Sequence, residues 1–271
     1  MNSKIVLILI ALIVAGCNKS ESPAGTRTAE PQGTAKAKIA SPDDRPRLPM
    51  PEERSVASYT ETNSGKQLGF QYASRQETVD YTALAKGVLW DDFRRLKDQF
   101  AQQDKVDKFK PEMETAVAAE KSNPYHWLTI GKGENVFENY DFDRKGFSIK
   151  EFTQIGGRNF SDTPRYRVRW ANASQVAFAP VADETAAREI EAFVSGNKPY
   201  ILGVPNNPLL KVFYFVQGAT PAQGQYSADT VDGWITHVQI TDPATGNVLA
   251  EYKPDSSIAP APFNPPPKSL Y

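Results

Sequence analysis

Apolar residues recur along this chain with two different periods, and the change of period divides it. After Thr78-Val79-Asp80, the residues Tyr81, Leu84, Ala85, Val88, Leu89, Phe93, Leu96 and Phe100 repeat in three- and four-residue steps. That spacing is one stripe of an amphipathic helix, with Asp80 placed to cap it. Gly87 inside the stripe costs about 1 kcal/mol relative to Ala, so it marks a close packing point. A second helix is expected over about 107–121, with Phe109, Met113, Ala116 and Val117 inward and Pro111 tolerated in its first turn. Ser122-Asn123-Pro124 stops it.

From Tyr125 the period falls to two. Residues 125–130, 135–142 and 147–155 read as strands separated by Gly131-Lys132-Gly133 and Asp143-Arg144-Lys145-Gly146 turns. The segment 165–170 alternates strictly: Tyr166, Val168 and Trp170 face one side, Arg165, Arg167 and Arg169 the other. Another strand covers 175–179. Asp183 then caps a short helix with Ala186, Ala187, Ile190, Phe193 and Val194 inward and Glu184 at its positive end. Residues 209–216 are almost wholly apolar, as in a central strand covered on both faces. Strands at 234–241 and 247–253 flank Asp242-Pro243-Ala244-Thr245-Gly246, a good hairpin connector.

These elements predict an α+β domain over residues 75–253: a mainly antiparallel sheet of roughly seven to nine strands, two N-terminal helices and one short inserted helix. The flanks differ in kind. Residues 17–74 are expected to be a disordered tether, because 18–58 are rich in Pro, Ser, Thr, Gly, Ala and mixed charge and cannot offset their ordering entropy. A tether of about 40 residues reaches about 35 Å. Residues 254–271 form a proline-rich tail without period, extended or disordered.

The first 16 residues have the shape of a secretory signal: Lys4, an apolar run over 5–14, and small residues before Cys17. The run is shorter than the ~20 residues needed to span a bilayer. The end of this segment, Leu12-Ile13-Val14-Ala15-Gly16-Cys17, resembles the lipobox of bacterial lipoproteins. The resemblance implies cleavage before Cys17, lipid on its thiol and on its new amino group, and attachment to a membrane. Two or more acyl chains give stable anchoring where one does not. Asn18, a residue other than Asp after the lipidated cysteine, implies outer-membrane sorting if the host is Gram-negative. Residues 140–147, with Arg165–Trp170 and the closing hairpin, resemble a bacterial envelope lipoprotein domain, a likeness that transfers no site residue.

Composition narrows the chemistry. With 31 basic and 32 acidic side chains the chain has no electrostatic footprint for nucleic acid. Cys17 is the single cysteine, which leaves no intramolecular disulfide, no thiol nucleophile in the domain and no sulfur metal site. No G-x-S-x-G, S-x-x-K, HExxH or phosphate-loop pattern occurs. His126 and His237 both fall in strand patterns and read as ordinary side chains rather than zinc ligands. Asp141-Phe142-Asp143-Arg144-Lys145-Gly146 has the opening of a calcium loop, but Lys145 and Phe152 stand where ligands belong, so a turn is expected. No catalytic residue, cofactor or metal is assigned.

The row Arg165, Arg167 and Arg169 is the most unusual local feature, a ladder of guanidinium groups about 6.6–7 Å apart. The simpler expectation is that they pair with acids on the neighbouring strand. The other is an anion-binding patch for envelope phosphates or carboxylates, which suits the planar fork of arginine. The function expected is therefore a non-enzymatic, lipid-anchored envelope protein binding an envelope component or a protein partner. The alternative is a periplasmic hydrolase acting on glycan or peptide through carboxylates that sequence does not mark.

Overall fold

A computed structural model of the protein describes residues 51–153, 157–196, 207–222 and 227–259. The expected signal segment, Cys17, residues 18–50 of the expected tether and the tail beyond residue 259 lie outside the described residues. Among the described residues, no helix is long and apolar enough to cross a membrane.

The architecture is α+β, built on a mainly antiparallel mixed sheet with helices packed on one face. Four helices precede the first long strand: α1 (Gly65–Ser74), α2 (Tyr81–Val88), the single turn α3 (Trp90–Phe93) and α4 (Gln99–Ser122). The stripe expected to continue to Phe100 breaks after Phe93. Asp98 caps a new helix by accepting from the amides of Phe100 and Ala101, and Phe100 is 81% exposed at its start. Helix α4 is thus longer than the 107–121 expected, and Pro111 lies at its middle. The missing amide costs one i→i−4 bond to Asp107, whose exposure leaves that carbonyl open to water.

The sheet contains seven strands: β1 (Thr60–Glu61), β2 (Tyr125–Ile130), β7 (Leu209–Thr220), β8 (Asp229–Thr241), β5 (Thr163–Trp170) and β4 (Arg158–Phe160) in spatial order, with β9 (Val248–Tyr252) also on β8. Pairing is antiparallel except for β1 on β2 and β5 on β8. Strand β8 is long enough to serve two neighbours, β5 along its first half and β9 along its second. Both β7 and β8 run beyond the 209–216 and 234–241 expected. A smaller sheet pairs β3 (Gly146–Ser148) with β6 (Phe178–Pro180).

Other expectations are corrected. Residues 135–142 form no strand and contribute only two isolated bridges, Phe137 to Ile149 and Asp141 to Gly146. The strand expected over 147–155 ends at Ser148, and the turn α5 (Lys150–Thr153) follows. Residues 173–175 are a 3-10 turn, so the strand expected at 175–179 starts only at Phe178. Among the described residues there are two inserted helices, α5 and α6 (Glu184–Val194). Helix α6 has the expected cap, Asp183 Oδ1 accepting from Ala186 N at 2.8 Å, and buries Ala187, Ile190 and Phe193.

The domain also begins before residue 75 and runs past 253. In α1, Leu68, Phe70 and Ala73 join the main core, and Ser64 and Gln67 cap its start. At the other end Asp255 N donates to Gln175 O, and Gln175 Nε2 donates to Ile258 O. Alternation assigns the two faces of the sheet. Residues such as Leu128, Val212, Tyr214, Val168 and Ile235 point inward with the helices, whereas Tyr125, Phe213 and Phe215 point outward into a second aromatic cluster. Residues 52–59 cross that outer face. Tyr59 meets Tyr125 and Phe213 edge-on at 5.3 and 5.4 Å, and Arg54 stacks over Tyr125 at 4.3 Å.

Candidate functional site

The three arginines of β5 lie, as alternation requires, on the outer face beside β8, and they differ from one another. Arg165 Nε donates to Asp229 Oδ2 at 3.0 Å. Arg169 Nη2 pairs with Asp232 Oδ1 and donates to Thr220 Oγ1 at 3.2 Å. Arg167, between them, donates through Nε to Thr230 Oγ1 at 3.0 Å and makes no ion pair among the described residues. Parallel register produces this sequence of partners: Arg167 stands opposite Thr230 and Arg169 opposite Asp232.

The two acids are built into the fold. Asp229 and Asp232 are each 6% exposed. Asp229 Oδ1 also accepts from Ala222 N at 2.9 Å, and Asp232 Oδ2 from Thr220 Oγ1 at 2.9 Å. Each carboxylate is therefore satisfied on both oxygens, the condition under which a buried charge is tolerated. The ladder reduces from three positive groups to one uncommitted guanidinium, flanked by two neutral pairs. Thr230 Oγ1 donates to Ala228 O at 3.1 Å, which leaves its lone pairs to accept from Arg167. The outer side of the guanidinium is free to present its fork to an oxyanion.

Asp229, Thr230, Asp232 and Thr220 were not legible as partners. Strand β8 was expected to begin at Trp234, because the polar run before it looks like a loop. The alternation of Thr230 and Asp232 around Val231 was the available signal.

Each histidine has one carboxylate beside it. His126 is buried on β2, its Nε2 2.9 Å from Glu120 Oε2 but out of line for a hydrogen bond. His237 lies 3.4 Å from Glu251 on the outer face. No group of three metal-ligating side chains occurs among the described residues. The Asp141 segment is a turn: Asp141 Oδ1 accepts from the amides of Asp143 and Arg144 at 3.0 and 2.9 Å, and Lys145 takes φ 55°. The carboxylate is used inside the loop as an acceptor for backbone amides. Among the described carboxyl groups Glu151 is pushed upward, chiefly by burial, against the lowering effect of Arg158. Arg158 Nη1, 3.4 Å from its Oε2, ties it to the fold.

A groove of about 540 Å³ opens between α6 and the Asp141 turn. Its walls are mixed, with Tyr140, Phe142 and alanines beside Lys145, Arg188 and Glu184. The acids do not converge there: Glu184 pairs with Arg188, and Glu191 Oε2 accepts from Tyr140 N at 3.0 Å. Compared with known proteins, the chain matches no family model, no curated protein and no solved structure.

Proposed function

We propose that the protein is a lipid-anchored, non-enzymatic component of the bacterial envelope that binds an anionic envelope molecule on the outer face of its sheet, at Arg167. The observation that carries the binding part is the position of Arg167: the central guanidinium of a ladder whose two neighbours are held by buried acids. The anchoring part is supported by the lipobox-like end at Cys17, with Asn18 favouring the outer membrane. The 33 residues between Cys17 and Pro51 would let the domain stand about 30 Å from the bilayer.

The flanking pairs make the patch selective in charge terms. Two neutralised arginines leave the local field modest, so a soluble anion is not gathered from a distance. A phosphate or carboxylate brought close by a shared membrane meets one fork with well-held neighbours. A charge-assisted contact of that kind is worth about 1.5–3 kcal/mol.

The test uses purified lipopolysaccharide and its dephosphorylated form as probes. Wild-type protein is expected to hold the phosphorylated form more tightly, and Arg167→Gln to lose about tenfold in affinity, the equivalent of about 1.4 kcal/mol. The glutamine can still reach Thr230, so thermal stability should stay put. Equal binding of both probes, or no effect of the substitution, removes Arg167 from the reading. For the anchor, Cys17→Ser is expected to abolish lipid labelling and shift the protein from the membrane to the soluble fraction. Unchanged fractionation would overturn it. Turnover of purified peptidoglycan by the wild-type protein would replace the binding reading with a hydrolytic one.

A further inference from the structure

We infer that the groove beside α6 is a docking site for the chain's own proline-rich tail, residues 260–271. In this groove an exposed aromatic ring and a cavity coincide. Phe142 is 83% exposed, with its ring edge-on to Tyr140 at 5.1 Å. Tyr140 is fixed below it by donating its hydroxyl to Val181 O at 3.3 Å. Ala187 and Ala192 of α6 supply a shallow apolar wall opposite. Beyond its edge contact with Tyr140, a large aromatic ring this open to water buries little surface for the domain itself.

The chemistry of the tail matches. Its sequence, PAPFNPPPKSLY, carries five prolines and Phe263. Proline-rich segments favour the polyproline II conformation, and grooves lined by aromatic rings recognise it because little ordering entropy is left to lose.

The fold places the root of the tail at the far end of the strand that leads to the groove. Ser174 Oγ donates to Ala259 O at 3.3 Å and Gln175 Nε2 to Ile258 O at 2.7 Å, so the last described residues are fastened beside the 3-10 turn. From Gln175 the chain runs through β6 to Ala182, at the groove. Those seven residues span at most about 25 Å even if fully extended. Twelve residues of polyproline II cover about 37 Å. Reach is thus ample, and the third proline of the PPP run falls about 25 Å along by the same rise. Because the tail is attached at its root, the local concentration it presents is on the order of millimolar, enough for the weak contacts such grooves make.

The experiment uses the full chain. Lys268 is the tail's one trypsin site, so cleavage after it, followed by intact mass, reports whether the tail is held. In Phe142→Ala this cleavage is expected to be at least fivefold faster than in wild type, with an unchanged melting temperature, since the ring is exposed. A photoreactive benzophenone side chain at position 142 is expected to capture residues 260–271 of the same chain. Equal cleavage rates in the two proteins would overturn the inference. So would a crosslink that joins two copies or maps to any other segment. A peptide of residues 259–271 added in excess should suppress the crosslink, and the same peptide with Pro265, Pro266 and Pro267 changed to Ala should not. Suppression by both peptides alike would remove the prolines from the argument.

Discussion

Gly87→Ala is expected to lower stability by about 2 kcal/mol, although alanine is the better helix former. A Cβ at Gly87 would stand 2.4 Å from the hydroxyl of Tyr166 and 2.7 Å from its Cε2. Carbon atoms rest at about 3.5–4.0 Å, so ring or helix must give by about an ångström. The ring cannot simply retreat. Gly69 of α1 crowds the same ring, since a Cβ there would be 2.8 Å from the same Cε2, and Tyr166 is 2% exposed. Two helices thus close on one strand residue through two glycines. Overpacking of this kind costs about 1–3 kcal/mol, and here the upper end is expected because both walls are rigid. The helix-propensity gain of about 1 kcal/mol offsets part of it. At about 2–4 °C per kcal/mol for a domain of this size, the melting temperature should fall by about 4–8 °C. The decisive comparison is made in a Tyr166→Leu background, where the ring tip is gone. There Gly87→Ala should cost nothing or stabilise slightly. An equal cost in both backgrounds would mean that the glycine is needed for something other than Tyr166.

That packing point was visible in the sequence as a glycine inside an apolar stripe, and its partner was not. The same division holds across the fold. Elements whose pattern is set locally were legible: α2 with Asp80 at its cap, α6 with Asp183, the outward and inward sides of β5, and the turn between β8 and β9. Each needs only residues within one or two turns of chain. Helix α1 was missed because its flanks are polar and two of its ten residues are glycine, which masks the apolar positions that Leu68 and Phe70 carry into the core. The signal that existed was the Ser64–Gln67 cap. Residues 135–142 imitate a strand because Val136, Phe137 and Tyr140 are pulled under α6 and the small sheet one by one, without a ladder. The parallel pairing of β5 with β8 joins residues some 63 positions apart, and no local pattern encodes it.

The arginine row shows the consequence for the site. Its existence and its face could be derived from alternation, but the roles of its members depend on which strand lies beside them. The expectation of pairing with acids holds for Arg165 and Arg169 and not for Arg167. One strand therefore carries both a structural and an uncommitted use of the same side chain. The partners separate the two uses, and sequence spacing treats all three alike.

If Arg169 is structural and Arg167 is not, removing the acid beside the first must hurt folding far more than removing the second. Asp232→Ala is expected to cost about 3 kcal/mol, the lower end of the range for breaking a buried pair. Asp232 is 6% exposed, and the Arg169 side chain is 15% exposed, so water can do little to replace the lost carboxylate. The same change takes an acceptor from Thr220 Oγ1, 2.9 Å away. Arg167→Ala removes one hydrogen bond to a hydroxyl and should cost about 1 kcal/mol or less. Urea unfolding of the two variants gives the comparison, and equal midpoints would refute the assignment. A paired replacement, Arg169→Met with Asp232→Leu, should recover most of the loss, because an apolar pair of similar volume has no charge to desolvate. In that variant the ladder loses one neutral pair and keeps Arg167. Its affinity for phosphorylated lipopolysaccharide should then be close to wild type if the neighbours only brace the strand, and lower if they hold the fork in place.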